Sequence, residues 1–176
     1  MIIVFTGNGK GKTTASLGQM VRVTGRGKKA LMIQFIKMPE WRTGEDMFPL
    51  KFSLPKSDFE VRKMGKGFVG ILGDRLPREV HEKAAEEALQ TFKEELGSGK
   101  WDLIVLDEVN VAVSLNLIKI EDVLGAVSKV PEDKFVILSG RGAPEEFIGA
   151  ADLATEMREI KHPFNDGKMG KIAVEF

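Results

Sequence analysis

Chemical capacity is concentrated first in Thr6-Gly7-Asn8-Gly9-Lys10-Gly11-Lys12-Thr13-Thr14. Glycine-rich backbone can turn its N–H groups inward around an anion. A helix beginning there adds partial positive charge. Lys12 brings a full charge on a flexible stem, and Lys10 adds a second cation within the loop. The Thr13 hydroxyl is placed to coordinate Mg²⁺. The run departs from the common G-x-x-x-x-G-K-[ST] pattern at one position, because Thr6 stands where a glycine is expected. A glycine-rich turn can exist without a ligand. Against that stand the apolar Ile2–Phe5 before it and the helical period after it, which is the context a phosphate loop requires.

A second concentration closes Trp101-Asp102-Leu103-Ile104-Val105-Leu106-Asp107-Glu108. An acid at the end of such a strand holds Mg²⁺ in phosphate-loop proteins. Asp107 continues the strand, and Glu108, one residue later, could reach the metal or activate water. An ordinary helix N-cap is the competing reading. The pairing of both motifs in one chain favours the metal.

Stepping from strand to strand gives the frame that must hold these residues. Ile2–Phe5, Ala30–Lys37, Leu103–Leu106 and Phe135–Leu138 are continuous apolar runs. Such strands are buried on both faces, as in a parallel sheet covered by helices. Helices are predicted at Lys12–Gly25, Pro77–Leu96, Glu121–Lys129 and Pro144–Ala151. In the long one, Val80, Ala84, Ala88, Phe92 and Leu96 repeat every fourth residue. Residues 38–48 read as a loop, and 64–76, with four glycines, as a second loop. Lys51–Leu54 and Phe59–Lys63 read as short strands, and Ala154–Ile160 and Ile172–Phe176 as the final ones. The expected architecture is one α/β domain over residues 1–176. It is a three-layer, mainly parallel sheet, P-loop NTPase-like and RecA-like, with ligands at the carboxyl ends of its strands.

Composition narrows the chemistry further. The 176 residues contain no Cys and two His, so thiolate nucleophiles, disulfides and Cys-ligated metal sites are excluded and a multi-His metal site is not expected. Lys and Arg total 26 and so do Asp and Glu, a neutral balance that argues against a broad nucleic-acid binder. The apolar runs are far short of a membrane span. Met1 leads into the first strand without a charged leader, so a cytoplasmic protein is expected.

Thr6–Thr14, Gln-Phe-Ile-Lys at 34–37, Gly44-Glu45, Val-Leu-Asp-Glu at 105–108, Ser-Gly-Arg at 139–141 and Lys-His-Pro-Phe at 161–164 together resemble the P-loop ATP:corrinoid adenosyltransferases. The missing first glycine is itself characteristic of that family. The resemblance implies transfer of the 5′-deoxyadenosyl group of ATP to the Co(I) of a corrinoid, with release of triphosphate. It implies that ATP is held reversed relative to ordinary phosphate-loop enzymes. It makes Gly7, Asn8, Gly9, Lys10, Gly11, Lys12, Thr13 and Thr14 the nucleotide grip. Lys12, Thr13 and Glu108 become the catalytic set, and Thr13 and Glu108 the Mg²⁺ ligands, with Asp107 as the fallback.

For the corrinoid, the resemblance points to two loops, Met38–Met47 with Trp41 and Met64–Arg75 with Phe68. In the family an aromatic pair in the second loop displaces the lower ligand of the corrinoid. Phe68 matches the first aromatic of that pair, and Gly70 stands where some members carry Trp, a place Trp41 could fill. Local packing of a long loop is the other reading of both rings. Arg141 is a candidate phosphate or corrinoid contact, or else a surface turn. His162, before Pro163, could contact the corrinoid or be structural, and His81 reads as part of its helix. The family also implies a homodimer and a reduced flavoprotein as electron donor. The competing reading is a small P-loop kinase or regulatory NTPase, and a further one is a non-enzymatic corrinoid or nucleotide carrier.

Overall fold

The chain was analysed as a computed structural model that describes residues 1–71, 73–163, 167, 170, 171, 173 and 174. Strands β1 (Ile2–Thr6), β2 (Ala30–Gln34), β3 (Phe59–Lys63), β4 (Leu103–Asp107), β5 (Phe135–Ser139) and β6 (Leu153–Glu156) form one sheet. Its order is β3-β2-β4-β5-β1-β6 and every pairing is parallel. Strand β5 therefore lies between the strand that enters the glycine loop and the strand that ends in acids, as in RecA-like domains.

The strands are apolar on both faces because helices cover both. Alternate residues point to opposite sides of a sheet. On one side Val4, Leu31, Ile33, Ile104, Leu106, Val136 and Leu138 pack with Ala85, Ala88, Leu89 and Phe92 of helix α3 (Arg78–Gly97). The short helices α4 (Val109–Ser114), α5 (Ile120–Val127) and α6 (Glu145–Ala150) complete that layer. On the other side Ile3, Phe5, Met32, Val105 and Ile137 pack with Met20 of helix α1 (Lys12–Thr24), and Phe48 of helix α2 (Gly44–Lys51) packs at its margin. Among the described residues no helix is long and apolar enough to cross a membrane.

Register does the work of positioning. Gln34 pairs with both Lys63 and Asp107, and Leu106 pairs with Leu138, one residue short of Ser139. The last residues of β1 to β5 are thus Thr6, Gln34, Lys63, Asp107 and Ser139, all polar, at one edge of an apolar sheet.

Several expected elements differ. Residues 38–48 are not wholly loop, and Lys51–Leu54 is not a strand, because α2 occupies 44–51. The reason is local: the Thr43 N–H donates to Asp46 Oδ2 at 2.8 Å, an N-terminal capping contact. Phe48 then buries against Phe59, with ring centroids 5.4 Å apart. Helix α4, absent from the sequence reading, follows directly on Glu108. Strand β6 is Leu153–Glu156 rather than Ala154–Ile160, since the backbone at Met157 turns to meet the glycine loop. Of the expected strand Ile172–Phe176, Ala173 and Val174 lie in a turn, and 172, 175 and 176 lie outside the described residues.

Candidate active site

The glycine loop is built by close approach. Gly7 has φ +95°, and a Cβ there would fall 2.5 Å from the Met157 carbonyl oxygen. A Cβ on Gly9 would fall 2.6 Å from the same atom, so neither position admits a side chain. The Gly9 N–H donates to that carbonyl at 2.6 Å. The loop is therefore seated on the segment that follows β6. Thr6, the residue that breaks the common pattern, accepts a hydrogen bond from the Ala143 N–H at 3.1 Å. Its side chain ties the start of the loop to the turn after β5, a contact glycine could not make.

Lys12 is buried inside this loop, 7% exposed. Its ammonium donates to the carbonyls of Gly7 at 2.7 Å and Gly9 at 2.8 Å. Burial lowers its pKa from the ordinary lysine value, and the nearby carboxylate of Glu108 opposes that shift. Asn8 and Lys10 are exposed at the loop tip and Thr14 is exposed on α1.

Asp107 is fully buried and accepts three side-chain hydrogen bonds. Thr13 Oγ1 donates to Oδ1 at 3.0 Å, Ser139 Oγ to Oδ1 at 2.7 Å, and Gln34 Nε2 to Oδ2 at 2.9 Å. Each donor comes from a different element, so the carboxylate is aimed by α1, β5 and β2 together. Gln34 Nε2 also lies 3.4 Å from Glu45 Oε1, whose carboxylate pairs with Lys37 at 2.7 Å. That pairing holds Glu45 below the usual carboxylate range against the opposing effect of burial.

Glu108 begins α4 in a left-handed conformation, φ 63°. A non-glycine residue there is uncommon and marks a constrained site. Burial, and next the negative charge of Asp107, push its carboxyl up to about 7. Gly140 makes room for it: at φ +135°, a Cβ would lie 3.1 Å from Glu108 Oε2 and 3.2 Å from the Val111 nitrogen. Asn110 Nδ2 fixes the same turn by donating to the Gly140 carbonyl at 3.0 Å.

The hydroxyl of Thr13 and the two acids give a small set of hard oxygen donors. The Oδ1 contact brings Thr13 and Asp107 together directly. Among the described residues no group of three or more His, Cys, Asp or Glu forms a metal cage. Mg²⁺ needs none, since it commonly takes one or two carboxylates and completes its shell with phosphate and water. The residues fit that ion.

A cavity of about 1100 Å³ joins these parts. Its lining is polar at residues 9–14, Glu108 and Arg141 and apolar at Leu17, Val21, Phe48 and Phe59. Phe68, Lys37, Glu45 and His162 also face it. The two loops expected to meet the corrinoid converge: the rings of Trp41 and Phe68 are 5.0 Å apart at 50°. Trp41 is 36% and Phe68 43% exposed, so the pair is packed on itself yet open to solvent. Gly67 turns the chain beside the pair at φ +97°, a left-handed conformation that favours glycine.

Sequence reasoning assigned no role to Gln34, Lys37, Glu45 or Ser139. The available signal was a polar residue at the end of an apolar strand, as at Gln34 and Ser139. For Lys37 and Glu45 only the fold could bring the partners together.

The sheet order and the loop define a P-loop α/β domain of RecA-like type. The fold is similar to that of the flagellar accessory protein FlaH from Methanocaldococcus jannaschii, with a TM-score of 0.57 over 88% of this chain and 69% of that one, at 11% identity. The chain belongs to the ATP:corrinoid adenosyltransferase family BtuR/CobO/CobP, which it matches over residues 1–176. It is 36% identical over 176 residues to a corrinoid adenosyltransferase of Escherichia coli K12, covering all of this chain and 85% of that protein. A corrinoid adenosyltransferase of Pseudomonas aeruginosa is 35% identical, with 83% of its length covered, and the corrinoid adenosyltransferase CobA of Salmonella typhimurium is 34% identical, with 85% covered. The activity is transfer of the adenosyl group of ATP to a corrinoid.

Proposed function

We propose a division of labour in which residues 7–14 grip the triphosphate as a leaving group while a reduced corrinoid attacks from the Trp41–Phe68 side. The Co(I) electron pair forms a bond to the ribose 5′ carbon. The bond from that carbon to the phosphate oxygen breaks, its electrons leave with the triphosphate, and cobalt is formally oxidised to Co(III). No protein nucleophile is required, which suits a chain without Cys.

The protein's tasks are to hold the 5′ carbon in line and to neutralise charge that grows on the leaving oxygen. Lys12, Lys10 and the loop amides supply fixed positive potential. Lys12 is pre-placed, because the Gly7 and Gly9 carbonyls already hold its ammonium. Thr13, Asp107 and Glu108 would hold Mg²⁺, which when bound adds positive charge beside the triphosphate. Gln34 and Ser139 keep Asp107 oriented toward Thr13. Arg141 lines the same cavity. Trp41 and Phe68 offer an apolar face to the macrocycle. A homodimer in the cytoplasm, supplied with Co(I) by a reduced flavoprotein, is the setting that the family resemblance supports.

One observation carries this reading: a polyphosphate grip and Phe68, which packs on the exposed Trp41, border a single cavity. Product analysis tests it. With ATP and a chemically reduced corrinoid, adenosylcorrinoid and triphosphate should form in equal amounts. ADP or orthophosphate as the stoichiometric product would instead identify a kinase or NTPase. Lys12→Ala should lower kcat/KM by about 10²–10³-fold, and an unchanged rate would remove the loop from the mechanism.

A further inference from the structure

The loop from Met64 to Leu76 carries Phe68 and Ile71 to the cavity, and it is fastened on both sides of them. On the near side, Met64 N–H donates to the Gln34 carbonyl at 3.0 Å, Gly65 N–H to Lys37 at 3.1 Å and Gly67 N–H to Ile36 at 2.9 Å. A Cβ on Gly65 would lie 2.2 Å from the Ile36 carbonyl, so this seam closes only with glycine.

On the far side Val69 packs against the core, the Asp74 N–H donates to the Ile71 carbonyl at 3.1 Å, and one carboxylate gathers the arm. Asp74 accepts the Gly70 N–H at 2.9 Å and the Leu76 N–H at 3.0 Å. Its Oδ2 lies 3.0 Å from Nε2 of His81. His81 is 3% exposed, on the buried side of α3 with Ala84, Ala85 and Ala88. A buried imidazole is costly unless its polar atoms are partnered. Here the partner is the residue that gathers the far arm of the loop. Phe68 stands between the two anchors, two residues before Gly70. The mechanism above uses neither Asp74 nor His81.

We propose that Asp74 and His81 are positioning residues: together they hold the 70–76 arm to α3 and so keep Phe68 packed on Trp41 at the corrinoid side of the cavity. The inference rests on the corrinoid reading of that cavity for its kinetic consequence, but not for its structural one. An unanchored arm would let Phe68 leave Trp41 and would weaken corrinoid binding while the phosphate loop, held by other elements, stays as it is.

Emission of Trp41 in the ligand-free protein reports the ring contact. The other tryptophan, Trp101, is 2% exposed and supplies a constant background. Phe68→Ala sets the reference change. His81→Leu and Asp74→Ala are expected to move emission in the same direction and to raise the corrinoid KM about tenfold, with the ATP KM within about twofold. His81→Gln retains a donor near the Nε2 position and is expected to recover most of both readouts. Unchanged emission in His81→Leu and Asp74→Ala would overturn the proposal, as would equal rises in both KM values. If His81→Leu does not fold, Asp74→Ala, in the loop itself, carries the test alone. Should the parent protein make no adenosylcorrinoid, the functional reading fails, and the emission comparison still decides whether the latch holds Phe68.

Discussion

Glu108 carries a stability cost that its proposed role in holding Mg²⁺ would explain. Its carboxyl, ordinarily near 4.5, rises to about 7 in the folded chain through burial and the neighbouring Asp107 charge. Between those values the folded protein retains a proton that the unfolded chain has released. Its contribution to stability therefore falls as pH rises through that window, and the penalty is complete above the folded value. Glu108→Gln removes the ionisation while keeping the shape. In ligand-free protein the variant should be more stable than the parent at about pH 8, by on the order of 1–3 kcal/mol. The gain should vanish near about pH 3.5, where both states of the parent are largely protonated. Denaturant unfolding at both pH values measures this. A variant weaker than its parent at the higher pH would contradict the burial account. Under the proposed mechanism the same change lowers turnover in the presence of Mg²⁺, because a carboxylate able to hold the ion is lost.

At the scale of elements, the site depends on turns that bring strand ends closer than side chains would allow. The turn after β5 is the clearest case. Gly140 must adopt φ +135° while Asn110 Cβ, Glu108 Oε2 and the Val111 nitrogen all approach within about 3 Å of where a Cβ would be. Gly140→Ala meets both a backbone penalty and crowding. The expected cost is about 1–3 kcal/mol, with weaker Mg²⁺–ATP binding because Glu108 and α4 must yield. Thermal unfolding and nucleotide titration together check this. Normal stability with normal binding would show that the turn has more room than the contacts imply. The entry to α2 is a second case. Lys63 Nζ, 4% exposed at its side chain, pairs with Asp46 at 2.5 Å, bonds Thr43 Oγ1 at 3.0 Å and donates to the Trp41 carbonyl. The end of β3 thereby steadies the loop that presents Trp41.

For the molecule as a whole, the layer on the α3 side is a continuous core and the site sits at its rim. Phe92 of α3 is fully buried in that core and belongs to none of the site's contacts. Phe92→Ala should cost about 3–5 kcal/mol, a drop in Tm of roughly 6–20 °C for a chain of this size. Below the new transition, kcat and both KM values should stay near those of the parent. Selective loss of corrinoid binding at low temperature would mean that α3 packing, beyond the His81–Asp74 contact, reaches the site.

Residue types and spacing alone determined that the chain builds a parallel α/β sheet, that residues 6–14 form a glycine-rich turn between the first strand and the first helix, and that acids stand at the end of the apolar run Leu103–Leu106. These were legible because both-faces burial, glycine freedom and helix periodicity are local consequences of composition. The entry to α2 was missed, though Thr43 and Asp46 carry its capping signal, because Pro49 and the polar 38–46 run obscure the helical period. Tertiary structure alone decided that Asp107 takes its donors from Gln34, Thr13 and Ser139, that Trp41 packs against Phe68, and that His81 reaches Asp74. Each of those depends on strand order, register or loop path. These are set by how the layers pack, and no stretch of the chain encodes them by itself.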